Sequence, residues 1–465
     1  MTERASPLIV GAGPAGIRAA KALVEAGLRP VVVDEGRRCG GQIYRQPLVP
    51  DGRDARARYG SEAAKAMRLH RDFESLIARI DYRPQSLLWN LRDGTADIMR
   101  DGRNDRVVYD GLILATGATD RVLPIPGWTL PGVFTLGGAQ IALKAQGCAI
   151  GTHVVFIGSG PLLYLVAWQY LKAGISVAAV LDAAPLSAKR NLWRALPLAP
   201  DIVLRGLRMA AELKLSGTAL HFGVTHVRIE GAARVERINW RSRGRDHSLD
   251  CDGVGYGLNL RSEAQLADLV GCTFRYDARD RAHLPLRDVS GRSNVAGVYL
   301  AGDGARIAGA DAAERAGVRA ALALLEDRGL PHDASRAAGL ERELQRIDRF
   351  RDVLEAAFPF PAHWADDIAD DTLLCRCEEV TAGEARQAIR NFSLCEMNRL
   401  KAVSRIGMGR CQGRVCGAAA AELVTREAGR DIASVGRLRA QPPIKPIPFA
   451  VSAERTNEEQ HEPAR

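Results

Sequence analysis

The chain has 465 residues, 46% of them hydrophobic and only 5% aromatic, with 46 glycines and a formal net charge of +9. That length buries more than one core, so two or three domains are expected, and abundant glycine with few aromatics favours an α/β fold with many tight turns. The positive charge is mostly arginine, scattered from Arg37 to Arg439 without a compact run, and no nucleic-acid-binding module is visible, which excludes nucleic acid as an expected partner. No apolar run approaches the roughly 18 residues that span a bilayer, and the N-terminus enters a strand without the ordered regions of a signal peptide. A soluble, cytoplasmic protein is expected. Nine cysteines, four of them clustered near the end, fit a reducing compartment.

The first predicted strand, Leu8-Ile9-Val10, runs into Gly11-Ala12-Gly13-Pro14-Ala15-Gly16 and then an amphipathic helix through Ala19, Ala20, Leu23 and Val24 that ends near Gly27. In such a motif the first glycine permits the turn, the second lets a pyrophosphate approach the helix N-terminus, and the third lets helix and strand pack closely. A second strand, Pro30 to Val33, ends in Asp34-Glu35. An acid there accepts hydrogen bonds from ribose hydroxyls, and Glu35, 24 residues after Gly11, is the favoured one of the pair.

Three further segments point to FAD as the dinucleotide. Gly40-Gly41-Gln42 supplies a flexible turn beside the flavin, and Leu112-Ile113-Leu114 ends in Ala115-Thr116-Gly117, a return point of a first dinucleotide domain. Val298-Tyr299-Leu300-Ala301-Gly302-Asp303-Gly304 then places an acid at the end of a late strand, within reach of a ribityl hydroxyl. With these residues the chain resembles the glutathione reductase-like flavoproteins over residues 5–325. The resemblance implies two Rossmann-like domains: a discontinuous FAD-binding domain, 1–120 with 290–330, wrapped around a second dinucleotide-binding domain, 121–289.

That insert repeats the motif with a defect. His153 to Ile157 leads into Gly158-Ser159-Gly160-Pro161-Leu162-Leu163, with Leu163 where a third glycine belongs, and the following strand ends at Asp182. Asp182 favours an unphosphorylated ribose, hence NAD. A relic domain that turns over no nicotinamide, or one that holds an adenine nucleotide structurally, fits the Leu163 substitution equally well.

Residues 331–370 read as a linker, with charged helical segments such as Leu340 to Leu354, then Phe358-Pro359-Phe360-Pro361 and an acidic stretch. Residues 371–440 form the next module. Cys375-Arg-Cys377 precedes Thr381-Ala-Gly-Glu384, a capping box opening a helix toward Ile389. After 33 intervening residues comes a glycine-rich loop, Gly407 to Gly417, carrying Cys411 and Cys416, with Cys416 opening an alanine-rich helix. Cysteine-only ligation at this spacing suits a [2Fe-2S] cluster better than structural zinc, which favours CxxC knuckles, and better than inert thiols. Lys401, Arg405, Arg410 and Arg414 either offset the cluster's negative charge or are simply solvated. Residues 441–465 form a C-terminal tail, polar from 453 onward.

Cys-Arg-Cys-Glu-Glu-Val at 375–380 and the 407–417 loop resemble the bacterioferritin-associated ferredoxin-like [2Fe-2S] domain. Together with Gly-Gly-Gln-Ile-Tyr-Arg at 40–45 and the 158–163 motif, they make most of the chain similar to the alpha subunits of heteromeric amino-acid and opine dehydrogenases, such as octopine and nopaline oxidases, D-hydroxyproline dehydrogenase and, at greater distance, hydrogen cyanide synthase. One departure is at Gly257-Leu258-Asn259, where relatives tend to carry proline after the Gly-Leu pair. The resemblance implies a small helical [2Fe-2S] domain, substrate oxidation on a partner flavoprotein beta subunit and sometimes a ferredoxin-like gamma subunit; electrons are expected to leave to a respiratory or other acceptor, and a respiratory one would draw the complex to the inner face of the membrane. It also allows an FMN at an interface between subunits, which no motif here assigns.

The residue inventory agrees with that division of labour. No CxxC adjoins either glycine motif, and the nine histidines form no HExxH arrangement, so no catalytic residue is assigned. Cys39, Cys148, Cys251, Cys272 and Cys395 read as ordinary thiols, and Tyr44 and Arg45 as turn-packing residues rather than flavin contacts. The expected function is electron transfer through FAD and [2Fe-2S] in a complex oxidising the C–N bond of a secondary amino acid. An NADH-dependent reductase of ferredoxin or a small acceptor, and a nucleotide-binding scaffold without redox activity, are the competing readings.

Overall fold

The computed structural model describes residues 6–49 and 52–448. The polar tail beyond 448 lies outside the described residues. The N-terminal sheet has the strand order Asp81–Arg83, Val31–Val33, Ser6–Val10, Arg103–Leu114, Thr95–Arg100, Leu87–Arg92. Val298–Leu300 pairs in parallel with the inner end of Arg103–Leu114, so a strand almost two hundred residues later completes the same sheet. Ser6–Val10 is flanked on both sides by parallel partners, which is why it is almost uniformly apolar.

The helix Pro14–Glu25 lays Ile17, Leu23 and Val24 against this sheet. Each large apolar side chain so buried contributes about 1.5–3 kcal/mol. Its close approach depends on Gly16, where a β-carbon would collide with the Gly11 carbonyl. The long helix Ala310–Asp327 crosses it at Ala15, where Gly317 leaves room for the Ala15 backbone. Small residues on both helices thus bring the late segment directly over the first glycine motif.

The second sheet is wholly parallel, in the order Ala219–Phe222, Ser176–Asp182, His153–Ser159, Gly253–Leu258, Val133–Thr135. A three-stranded antiparallel meander, Thr225–Glu230, Arg237–Ser242 and Arg245–Asp250, is inserted in the chain between Ala219–Phe222 and Gly253–Leu258. The pairing of Ala118–Asp120 with Leu260–Ser262 joins the entry and exit of this domain. The α/β class and its two dinucleotide-type sheets are as expected from the sequence.

The stretch expected as a linker is mostly one helix, Ala334–Ala357, capped by Asp333 accepting from the Arg336 amide. The cysteine module is built from a short ladder, Leu373–Cys375 with Val380–Thr381, and the helices Ala382–Asn391, Met397–Ser404 and Gly417–Glu427. The Thr381/Glu384 capping box is formed in both directions. This module shares a continuous apolar core with the second sheet and the meander: Leu400, Leu423 and Val424 belong to the same cluster as Val155 and Val254 of the sheet and Trp240 of the meander. It is packed onto the body rather than tethered to it.

Candidate functional site

At the first glycine motif, the Gly11 amide donates to Val33 O at 2.8 Å and the Ala115 amide to Val10 O at 2.9 Å, which closes the loop between its two neighbouring strands. Gly13 caps the helix without a side-chain hydrogen bond, leaving the N-terminal amides available to an anion. The Gly40-Gly41 turn folds back onto the motif, with the Gly40 amide on Ala12 O at 2.8 Å and Gly41 against Gly13. Gln42 is exposed beside it. Gly302 abuts Ala15, and Gly304 leaves no room for a β-carbon beside Thr116 Oγ1. The residues singled out around Gly11–Gly16, Gly41, Ala115–Gly117 and Gly302–Asp303 therefore stand around one cleft. Their chemistry fits FAD: an uncapped helix N-terminus for pyrophosphate and acids at two strand ends for hydroxyls.

The two acids at the end of the second strand divide unequally. Asp34 turns inward and accepts from the Ala12 amide (2.5 Å) and the Gly36 amide (2.6 Å), and burial pushes its carboxyl above the usual range despite those bonds. Glu35, favoured on spacing alone, points outward and pairs with Lys445. Of the pair, Asp34 is the one that faces the Gly11–Gly16 loop. Asp303 accepts from the Ala308 and Gly309 amides at 2.8 and 2.9 Å and is likewise raised by burial. Tyr44 is fully buried, with its hydroxyl on Glu62 and its carbonyl on His70, so it packs the turn.

The second motif is closed. Asp182 has no exposed surface, and both its oxygens are taken: Oδ2 by the Tyr164 hydroxyl and Lys189 Nζ, each at 2.7 Å, and Oδ1 by the Ala184 amide at 2.8 Å. The Asn259 side chain fills the space over Gly160, whose φ of +104° and lack of a β-carbon permit the approach. Above these lies the Phe358–Pro361 segment. Lys189 Nζ donates to Ala357 O at 3.1 Å and stands 3.5 Å from the Phe358 ring centre, Tyr164 meets that ring edge-on, and Arg121 and Arg281 both approach the Phe360 ring. Asp182 and Gly158-Ser159-Gly160 therefore face the chain's own residues. Leu163 is fully buried between helix and sheet, as its size requires.

The four clustered cysteines come together as neighbouring thiols. Cys375 and Cys411 both lie against Cys416, and Cys377 lies against Cys411. The Cys416 thiol draws Cys411 down to about 5 and Cys375 to about 6, and is itself pushed up by the same two neighbours. Among the described residues no three His, Cys, Asp or Glu side chains converge on one metal point. Thiolate-only donors are of the kind that suits iron–sulfur ligation. Gly409 lets Cys377 approach the loop, and Cys416 stands at the N-terminus of the helix Gly417–Glu427. Cys39, Cys251 and Cys272 are buried elsewhere, and Cys148 and Cys395 are exposed. Of the nearby cations, Arg405 pairs with Glu378, Arg414 with Glu263, Lys401 is buried and Arg410 is exposed.

A hydrogen-bonded path joins the first cleft to this loop, through residues that no local motif marks. Thr116 Oγ1 donates to Glu263 O, and the Glu263 amide donates to Gly117 O at 3.0 Å. The Glu263 carboxylate receives Arg414 Nε at 2.9 Å, and Arg414 Nη1 reaches Cys411 O at 3.3 Å. Gln265 Nε2 also holds Gln412 O at 2.7 Å. The cysteine loop thus docks on residues 261–265, immediately beside Ala115-Thr116-Gly117.

The comparisons with known proteins agree with this architecture. Residues 6–317 match the pyridine nucleotide-disulphide oxidoreductase family and residues 370–455 the sarcosine oxidase A3 domain. The chain is 38% identical to the A subunit of opine oxidase from Rhizobium meliloti, covering 96% of this chain and 87% of that one. It is 36% identical to the HcnB subunit of hydrogen cyanide synthase from Pseudomonas protegens, covering 96% and 97%. In fold it is similar to L-proline dehydrogenase from P. horikoshii, with a TM-score of 0.73 at 19% identity over 97% of this chain and 79% of that one. Thioredoxin reductase from T. acidophilum superposes with a TM-score of 0.51 at 21% identity over 70% of this chain and 98% of that one. The chain belongs to the pyridine nucleotide-disulphide oxidoreductase family, among the flavoprotein oxidoreductases that include HcnB and its opine oxidase counterpart.

Proposed function

We propose that this chain is the electron-transfer subunit of a heteromeric dehydrogenase that oxidises the C–N bond of a secondary amino acid, with oxidation itself on a partner flavoprotein. The observation that carries the reading is the path from Thr116 and Gly117 through Glu263 and Arg414 to the Cys411 loop. It sets that loop against the cleft, which supports a short route between flavin and cluster. When bound, FAD exchanges electrons in pairs or singly and a [2Fe-2S] cluster carries them singly.

The chain's own residues supply binding and insulation. The Gly11–Gly16 loop and the uncapped helix hold the pyrophosphate, Asp34 and Asp303 accept from hydroxyls, and Cys375, Cys377, Cys411 and Cys416 hold the cluster. The names of the similar proteins, opine oxidase, sarcosine oxidase and proline dehydrogenase, support an amine substrate and a complex of several chains. The filled second motif counts against a reductase fed by NADH. No helix among the described residues is long and apolar enough to cross a membrane.

The test is anaerobic absorption spectroscopy of the purified chain with flavin and iron quantified, titrated first with NADH and then with dithionite. Flavin with two irons per chain, silent to NADH and bleached by dithionite, is expected. Bleaching by NADH, or amine oxidation by this polypeptide alone, would overturn the assignment.

A further inference from the structure

Between the cysteine loop and the body lies a cavity of about 150 Å³, walled by Arg121, Arg261, Arg281, Phe360, Gly413 and Leu438. Its charges do not balance in pairs. Arg281 is matched by Glu422, and Arg437, also at its edge, by Asp268. Arg121 and Arg261 have no such partner. Arg121 is 4% exposed and spends only Nη2, on the carbonyls of Leu260 (3.1 Å) and Asp280 (2.5 Å). Arg261 spends only Nη1, on Arg414 O at 3.0 Å. Among the described residues neither has a carboxylate within ion-pair distance; Asp280, Glu355 and Glu422 act on Arg121, and Glu263 on Arg261, only from further away.

The two guanidinium groups also repel each other across the same space. A buried cation is stable only when paired and hydrogen-bonded, and two like charges side by side need an anion between them. The Ser262 hydroxyl at the same wall is buried without a partner, an unused donor of the kind that marks a missing ligand or water. A dry cavity of about this volume takes a six-membered ring, so a four-oxygen anion fits. The bidentate fork of arginine suits phosphate and carboxylate alike.

We propose that this cavity is a buried oxyanion site in which Arg121 and Arg261 hold a phosphate-sized group, as a free anion or as part of a larger ligand, against the backbone of the Cys411–Cys416 loop. The site does not require the cluster reading to be right. Because Arg261 also lies within electrostatic reach of Cys411 and Cys416, the rival account is that the two arginines merely offset a cluster's charge.

The experiment is calorimetric titration of the full-length, cofactor-loaded chain with inorganic phosphate at low ionic strength. One saturable site per chain is expected, weakened at least tenfold in Arg261→Gln, partly restored in Arg261→Lys, and unchanged in the surface control Arg237→Gln. Flavin and iron contents measured on each variant show that it has folded. Competition by adenosine monophosphate would assign the site to a nucleotide-borne phosphate; retained phosphate binding without competition would assign it to the free anion. No saturable binding in the wild type, or equal binding in Arg261→Gln, overturns the proposal. So does an Arg261→Gln variant whose only change is a shifted cluster midpoint potential.

Discussion

The two glycine motifs of this chain start from nearly the same residues and end as opposite objects. Gly11–Gly16 opens a cleft whose acid, Asp34, is bonded by backbone amides alone. Gly158–Leu163 leads to an acid of the same kind, Asp182, that is sealed by Tyr164, Lys189 and the Ala184 amide. The difference does not lie in the motif itself. It lies in what the rest of the chain lays on top: the Gly40-Gly41 turn at the first, and Asn259 with Phe358–Pro361 at the second. A dinucleotide fold is thus a platform, and the covering segment decides whether it binds a cofactor or another part of the protein.

The sharpest break in this comparison would come from the module that the second platform supports. Cys411→Ser with Cys416→Ser should abolish iron and acid-labile sulfide while flavin is retained; simultaneous loss of flavin would show that the cleft and the cysteine loop are one folding unit. Gly16→Ala should cost about 3 kcal/mol from overpacking against the Gly11 carbonyl and release flavin, read by urea denaturation and absorbance. Its counterpart at the second motif is Lys189→Met, which strips Asp182 of its only cation among the described residues. A loss of about 3 kcal/mol in stability is expected with flavin content unchanged, because that pair is structural.

A buried lysine beside the first cleft gives a pH test. Lys144 Nζ donates to Ile43 O at 3.0 Å, and burial draws it from the usual 10.5 to about 8. The unfolded chain therefore binds more protons at this site between those values, so its contribution to stability rises from pH 8 toward 10.5. Lys144→Met should remove about 3 kcal/mol of that rise, measured by denaturation at pH 7 and pH 10. The smallest effect belongs to the outward acid. Glu35→Gln should change stability by less than about 1 kcal/mol and leave flavin binding intact, whereas Asp34→Asn should weaken it; the reverse order would return the ribose contact to Glu35.

Local pattern carried a large part of this protein. The apolar runs at Leu8–Val10, His153–Ile157 and Val298–Leu300 are strands, the glycine motifs sit at strand-to-helix turns, and Thr381/Glu384 closes its capping box, because each depends on neighbours a few residues away. The choice between Asp34 and Glu35 was not legible, since adjacent residues on a strand end differ only in the face they meet. Nor was the part played by Phe358–Pro361, which reads as linker but packs two hundred residues upstream.

By itself the sequence determined the α/β class, the two dinucleotide platforms and the cysteine-bearing module, since spacing and hydrophobic period specify elements and their order. Only the tertiary structure decided which platform stays open, which acid faces the cleft, and that Glu263 and Arg414 join the cleft to the cysteine loop. Those outcomes rest on contacts between segments far apart in the chain, where burial, charge pairing and the exclusion of water act on whichever residues the fold brings together.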